Sequence, residues 1–364
     1  MSIPLTDVRA QYASLEAELH ARIASVVDSG HFILGPNVRG FEQEAARYLG
    51  VEAAVGVANG TDALILTLEA LGAGPGDEVI CPAFTFFATA EAIARVGATP
   101  IFCDIEPETL NLDPVDAARR VTSQTKAIVA VHLFGRPAPI SALPAGIPVV
   151  EDAAQAFGAG SAQSRAGSWG VAAAFSFFPT KNLFCFGDGG LVATDDLELA
   201  DRVRALRFHG STDKETFGLV GHNSRLDEIQ AAVLRTFLPH VDDWNGLRRE
   251  AALRYEEVGL GRVCQLPRSE AGHVFQLYVV RSRERDRLLR SLASAGVAAR
   301  PYYRTPLHLQ PAFAYLGYTE GSLPETERAA SENVALPMWA GIGRADQEKV
   351  AAAGRAAVVV EASP

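Results

Sequence analysis

From Ala53 to about Pro239 the chain alternates short apolar or β-branched runs with helix-length stretches, and this alternation restricts the fold more than any other feature. The runs are AAVGVA from Ala53, EVIC, TPIFCDI, KAIVAVHLF, IPVVEDA, AAAFSFF and GGLVAT, with helical spacing over Thr61–Leu71 and Thr85–Val96 between the first three. Such a series predicts an α/β fold with a mainly parallel sheet covered on both faces. A lead-in helix is expected from Ser14 to Val27, with Leu15, Leu19, Ile23 and Val26 on one face and Gly30 just beyond its end. After Pro239 the pattern becomes more charged and poorer in strands: a polar helix at Val241–Glu257, a strand-like HVFQLYVV, a charged helix at Arg283–Ala295 and two C-terminal helices. We therefore expect a large α/β domain over residues 1–239 and a smaller α+β domain over 240–364, with a ligand cleft between them.

Composition narrows the function classes. A chain of 364 residues, 48% hydrophobic, can bury a large core. Its net charge of −10 argues against a nucleic-acid partner, while leaving room for an anionic small molecule held by a few local donors. Cys81, Cys103, Cys185 and Cys264 lack the paired spacing of a metal site, so no metal is expected and the thiols should be reduced and mostly buried. The start MSIPLTDVRAQY is not a secretory leader and no apolar run is long enough to span a bilayer, so neither export nor a membrane is expected and the cytoplasm is the expected compartment.

Several segments carry chemistry. AFSFFPTKNLFCFGDGG, starting at Ala174, places the lone Lys181 after a buried strand, among aromatic residues and glycines. A desolvated amine there has a lowered pKa and can attack an aldehyde; a solvated one is an ordinary turn lysine. In VVEDAAQAFGA, Asp152 ends an apolar strand and Gln155 follows by one helical turn. A carboxylate at that end of a parallel strand points into the ligand crevice and can keep a pyridine nitrogen protonated, although an Asp before a helix is equally a cap. VANGTDALILTLEAL reads as strand, glycine turn and helix from near Thr61, either an anion site at a helix N-terminus or a plain turn capped by Thr61 or Asp62. NGTD matches neither a dinucleotide fingerprint nor a P-loop. Among Phe84, Phe86 and Phe87 one can stack on a planar ring, or all three can be core. Ser176, on the same strand face as Ala174, can give a hydroxyl to a phosphate. His132 and His209 read as structural histidines.

Taken in order, FILGPNVRGFE, NGTDAL, GPGDEVICPAFTFFATAEAI, EDAAQAFGA, FSFFPTKNL, GDGG, NSRLDEIQAAVL and YYRTPLHLQPAF resemble the DegT/DnrJ/EryC1/StrS family of nucleotide-sugar aminotransferases along nearly the whole chain. The resemblance implies the pyridoxal 5′-phosphate (PLP) fold type I of aspartate aminotransferase. It implies that Lys181 carries PLP as a Schiff base, that Asp152 pairs with the ring nitrogen and that Gln155 lies over the phenolic oxygen. Gly60, Thr61 and Ser176 would hold the phosphate, and Phe86 would stack on the ring. Asn223 would reach into a neighbouring subunit's site, making the functional unit a homodimer with shared active sites. Tyr302 and His308 would lie beside the sugar.

The implied reaction moves an amino group from an amino acid, L-glutamate, to a nucleotide-linked keto-sugar, with the 3-keto branch matching better than the 4-keto branch. A 4-keto-sugar aminotransferase and a non-catalytic PLP-binding sensor of the same fold are the alternatives. A dehydratase of the family would lack the lysine. Three departures stand out: a short RPAPISALPAG connection before IPVVEDAA that puts one surface helix in doubt, Phe184 and Phe186 in NLFCFGDGG, and Phe157 in EDAAQAFGA. The aromatic substitutions suggest a more apolar pocket beside Lys181. In sequence alone Asn223 is equally the cap of the following helix, and Tyr302 and His308 are equally loop residues.

Overall fold

A computed structural model describes residues 2–359. Its centre is a seven-stranded sheet in the order Ala53–Val57, Gly190–Thr194, Ala172–Ser176, Val149–Asp152, Thr125–Val131, Glu78–Pro82, Thr99–Cys103. The neighbouring strands from Ala172–Ser176 to Thr99–Cys103 pair in parallel. Gly190–Thr194 runs antiparallel to both its neighbours. The reason is local: residues 177–189 contain no helix, and a parallel return needs a long crossover.

Side chains alternate across this sheet and sort into two cores. Val55, Val57, Val79, Val129 and Val192 pack with Leu64, Leu68, Ile93 and Val203 from the helices Gly60–Ala70, Phe87–Arg95 and Leu197–Leu206. Ala54, Ala173, Phe175 and Leu191 face the other way, onto Leu19, Val38, Phe41 and Val233 of the helices Glu16–Ser29, Pro36–Leu49 and Glu228–Phe237. Each such fully buried Leu or Phe contributes about 1.5–3 kcal/mol, so both faces must be covered for the sheet to persist.

The lead-in helix is present as a 3-10 turn at Ala13–Leu15 followed by Glu16–Ser29, ending at Gly30 with φ 67°. Between Val131 and Val149 there are only the 3-10 turns Leu133–Gly135 and Ile140–Ala142, so the doubted surface helix is indeed missing there. Pro36–Leu49 was not expected as a helix. Its amino end is capped from far away: the Glu228 carboxylate accepts from the Asn37 and Val38 amides at 2.9 and 2.8 Å.

Beyond Leu238 the helix Val241–Glu257 forms as expected. Of HVFQLYVV only the last three residues are extended, in the strand Tyr278–Arg281, because Phe275 upstream takes a φ of 43° that breaks the extended run. It pairs antiparallel with Asn333–Leu336, a strand the sequence did not announce. Helices Arg285–Ser294, Pro324–Glu332 and Arg344–Val359 complete this part. Val241 and Trp244 pack into the large-sheet core whereas Ala251, Ala252 and Tyr255 pack into the C-terminal one, so a single helix ties the two cores together. The four cysteines are buried and free.

Candidate active site

Val57, Gly190 and Ser176 lie side by side at one edge of the sheet, each opposite the next in register. Just past Val57 the chain turns into helix Gly60–Ala70, capped by Asn59, whose side chain accepts from the Asp62 amide at 2.8 Å. The cap is therefore Asn59, neither Thr61 nor Asp62, and Thr61 sits in the first turn of the helix. A Cβ on Gly60 would stand 2.7 Å from Ser176 Cβ, and one on Gly190 would stand 2.3 Å from the Asn59 carbonyl oxygen. Glycine at both positions lets the helix amino end, Thr61 and the Ser176 hydroxyl crowd around one small space, an arrangement suited to an anion.

Asp152 ends its strand and is buried, 6% exposed. No helix follows, so it is not a helix cap, and Gln155 lies in a turn rather than one helical turn on. Oδ2 of Asp152 accepts from the Thr89 hydroxyl at 2.7 Å and Oδ1 from the Ala154 amide at 3.2 Å; Thr89 in turn shares a 3.1 Å hydrogen bond with Thr85. Burial raises the pKa of this carboxyl above the usual value, while Thr89, the Ala154 amide and the nearby Lys181 charge pull it back. Burial of the Lys181 amine lowers its pKa to about 8, with Asp152 acting in the opposite sense. The lysine and the carboxylate thus perturb each other inside one desolvated space, the pattern of a reactive amine.

The loop that carries Lys181 is pinned on both sides. The Gln276 amide donates to the Thr180 carbonyl at 3.1 Å, the Gln11 amide to the Asn182 carbonyl at 3.2 Å, and the Asn182 amide to Asn245 Oδ1 at 2.6 Å and the Val274 carbonyl at 3.0 Å. Gln155 is held equally firmly: its Oε1 accepts from the Phe134 amide at 2.7 Å and its Nε2 donates to the Tyr303 hydroxyl at 3.1 Å. Phe84 is core and Phe87 half-buried, but Phe86 is 56% exposed, with its ring 6.1 Å from that of Tyr303. Of the three phenylalanines, Phe86 is the one with a face left to cover.

The remaining expected residues divide. Asn223 is exposed and bridges Phe208, four residues ahead of Asp227, the N-cap of Glu228–Phe237, so it does not cap that helix. The Tyr302 amide donates to Asn333 Oδ1 and its hydroxyl meets Arg300, while the adjacent Tyr303 is the tyrosine that reaches Gln155. His308 is buried, with Nε2 on Glu327 at 3.0 Å. Phe157 stacks on Tyr48 at 5.3 Å and Phe184 packs against Phe237 and Trp244, so both rings sit in the core, where an apolar pocket lining was expected.

His132 is buried, accepting from the Ala138 amide at Nδ1 and donating from Nε2 to Glu151 at 2.8 Å; His209 is instead exposed, at a positive φ. Burial works against the Glu151 charge, but His132 and the amides of Gly167 and Gly170 outweigh it and hold that pKa below the usual range. Sequence reasoning missed Thr89 and Tyr303. The only signals were a threonine one helical turn beyond Thr85 and a tyrosine doublet that did not say which ring faced the site.

PLP offers an aldehyde, a pyridine nitrogen, a flat ring and a phosphate. The residues fit it: a desolvated amine at Lys181, a buried carboxylate at Asp152, an uncovered ring at Phe86, and a cradle at Gly60 and Ser176 that a Cβ would fill.

The chain is similar to known proteins along nearly its whole length. The chain is 46% identical to the pleiotropic regulatory protein of Geobacillus stearothermophilus over 96% of this chain and 97% of that one. It is 44% identical to the dTDP-3-amino-3,4,6-trideoxy-alpha-D-glucose transaminase of Streptomyces venezuelae, over 92% and 91%. The crystal structure of S. venezuelae DesV in complex with a ketimine intermediate superposes with a TM-score of 0.93 at 44% identity, covering 98% of each chain. The sequence model of the DegT/DnrJ/EryC1/StrS aminotransferase family matches residues 13–355, and the chain belongs to that family.

Proposed function

We propose that this PLP-dependent aminotransferase moves the amino group of L-glutamate to carbon 3 of a nucleotide-linked 3-keto sugar. The observation that carries the reading is the shared desolvated space of Lys181 and Asp152, beside the Gly60 and Ser176 cradle. The choice of carbon is supported by the 44% identical S. venezuelae enzyme, whose name specifies a 3-amino sugar.

In this reading PLP, when bound, supplies the aldehyde that accepts the amino group and a ring that draws electrons from the carbon losing its proton. Lys181 would hold the cofactor, and its amine, when free, would take the proton from the donor's α carbon and later deliver one to the sugar carbon that receives the amino group. Burial lowers the Lys181 pKa, which favours the neutral amine this work requires. Asp152, fixed by Thr89 and the Ala154 amide, would keep the ring nitrogen protonated. Gln155, clamped by the Phe134 amide and Tyr303, and the exposed ring of Phe86 would contact the cofactor's ring. Gly60, Thr61 and Ser176 would hold the phosphate. Tyr302 belongs to the sugar side together with Tyr303, and the His308–Glu327 pair fixes the segment behind them.

The functional unit in this proposal is a cytoplasmic homodimer in which Asn223 completes the partner's site. Its support is the exposed apolar run beside Asn223: Phe217 and Leu219 are exposed and Val220 is 97% exposed, an arrangement that a second copy would cover. A regulatory role is favoured by the name of the G. stearothermophilus relative, but a pure sensor has no use for a proton-moving lysine. The test is turnover with L-glutamate across a panel of 3-keto and 4-keto nucleotide sugars, with the products located by NMR. An amino group on carbon 3 is expected; conversion of 4-keto substrates alone overturns the choice of carbon, and no turnover with any of them favours the sensor.

A further inference from the structure

Residues 177–189 form neither helix nor strand, so the place of the Lys181 amine is decided by tertiary contacts and not by a regular element. Locally, the Lys181 amide closes a turn by donating to the Phe178 carbonyl at 2.9 Å. The main-chain carbonyls on either side of the lysine are both taken by glutamine amides: Thr180 by Gln276 Nε2 at 3.1 Å and Asn182 by Gln11 Nε2 at 3.2 Å. These two glutamines are far apart in the chain, and one side chain joins them.

That side chain is Arg248, on helix Val241–Glu257 and 1% exposed. Its Nη2 donates to Gln11 Oε1 at 3.3 Å, and its Nη1 lies 3.3 Å from the Phe275 carbonyl and 3.5 Å from those of Gln276 and Met338. Gln11 is thus held at its oxygen while its amide group grips Asn182, and Gln276 is held at its main chain while its side chain grips Thr180. Three residues earlier on the same helix, and so on the same face, Asn245 accepts from Asn182 Nδ2 at 2.6 Å. No carboxylate among the described residues pairs with Arg248, and burial alone draws its pKa down to about 10, which leaves it charged at neutral pH. A buried charge without a counter-ion is costly, and an apolar chain of similar length would fill the space without that cost. What an apolar chain does not offer is a planar fork that addresses an amide oxygen and several carbonyls at once.

We propose that Arg248 is a positioning residue for Lys181: through Gln11 and Gln276 it fixes the carbonyls on both sides of the lysine, and so sets how deep the amine stands in the space it shares with Asp152. The proposal rests on Lys181 being the amine that holds the cofactor. Arg248 itself touches neither cofactor nor substrate, and its effect passes through the loop. With both carbonyls gripped the amine is kept from water, and burial is the main cause of its lowered pKa. Loosening either grip admits water and returns that pKa toward the value of a free lysine. At a given pH less of the amine is then neutral.

Attachment of PLP to the cofactor-free protein, followed against pH by visible absorbance, reads the amine's position without any turnover. Arg248→Lys keeps the charge and the stem but puts a single ammonium in place of the fork, and Gln11→Met removes both the acceptor for Arg248 and the donor to Asn182. Neither alters the formal charge, so a moved midpoint reports access of water and not a new field. In each variant the pH of half-maximal rate should rise by about half a unit or more, and the rate at neutral pH should fall at least about threefold. The double variant should be no worse than the poorer single one, because both break one chain of contacts; additive effects would overturn the link between the two residues. A lower melting temperature with an unmoved pH midpoint would show that Arg248 serves the fold alone, and also overturns the proposal. If Arg248→Lys does not fold, Gln11→Met decides, an unmoved midpoint again counting against it. Wild-type protein that forms no covalent PLP band would instead overturn the assignment of Lys181, and this proposal with it.

Discussion

The Thr89 hydroxyl donates to Asp152 Oδ2 at 2.7 Å, from the first turn of the helix that Phe86 caps, so the carboxylate at a strand end is aimed by a side chain from a different layer. Replacing Thr89 by Val keeps the shape and removes the donor, and should lower kcat by roughly tenfold, the worth of one hydrogen bond to a charged group. Because Thr89 lowers the Asp152 pKa against the effect of burial, the variant should also move the acid limb of the pH–rate profile upward. Thr89→Ser should restore both. A fall in kcat with no movement of the acid limb would mean that Thr89 acts through packing alone.

Lys181 should attach the cofactor only as the neutral amine. With its pKa lowered to about 8, attachment of PLP to the cofactor-free protein should speed up as pH rises and reach half its maximal rate near pH 8, as followed by visible absorbance. Lys181→Ala should lose the covalent band and reduce turnover by at least about a thousandfold. Its circular dichroism should be unchanged.

Asp152→Asn should leave PLP bound but lower turnover by more than about a hundredfold, since an amide does not favour a protonated ring nitrogen. Stopped-flow measurement of the first half-reaction with glutamate is the direct check. Near-normal rates would show that the carboxylate serves only the fold.

Gly60→Ala should force apart a contact of 2.7 Å to Ser176 Cβ and weaken cofactor binding by roughly tenfold, measured as Kd by fluorescence quenching. Adding Ser176→Gly removes the obstructing Cβ. If the Gly60→Ala defect is steric, the double variant should bind better than Ser176→Gly alone predicts from additivity.

Mixing inactive Lys181→Ala with a damaged Asn223→Ala variant should return some activity once subunits exchange, because one hybrid site then has both groups. Exchange confirmed by mass spectrometry without any recovery removes Asn223 from the partner's site.

The strands of the large sheet were legible because each contains a short apolar or β-branched run between turns, and Asp152, Gln155, Lys181 and Phe86 stood out because their chemistry is rare at such places. What the sequence hid was carried by distant partners. Glu228 caps a helix that begins at Pro36, and Tyr303 meets Gln155 across the two parts of the chain; no local pattern encodes either contact. Phe157 and Phe184 misled for the opposite reason: they are close to the key residues in sequence, yet their rings turn into the core.

The anchors of the lysine loop have a consequence for synthesis. The glycine turn at Gly60, Thr89, Asp152, Lys181 and one anchor of its loop, Gln11, all leave the ribosome before residue 190, but the other anchors, Asn245, Val274 and Gln276, and Tyr303, which clamps Gln155, follow later. At roughly 5–20 residues per second, the interval between Lys181 and Tyr303 is on the order of ten seconds. During that time a nascent chain has the Lys181 amine but most of the scaffold that steadies it is still missing, so productive capture of the cofactor should await the C-terminal third of the protein.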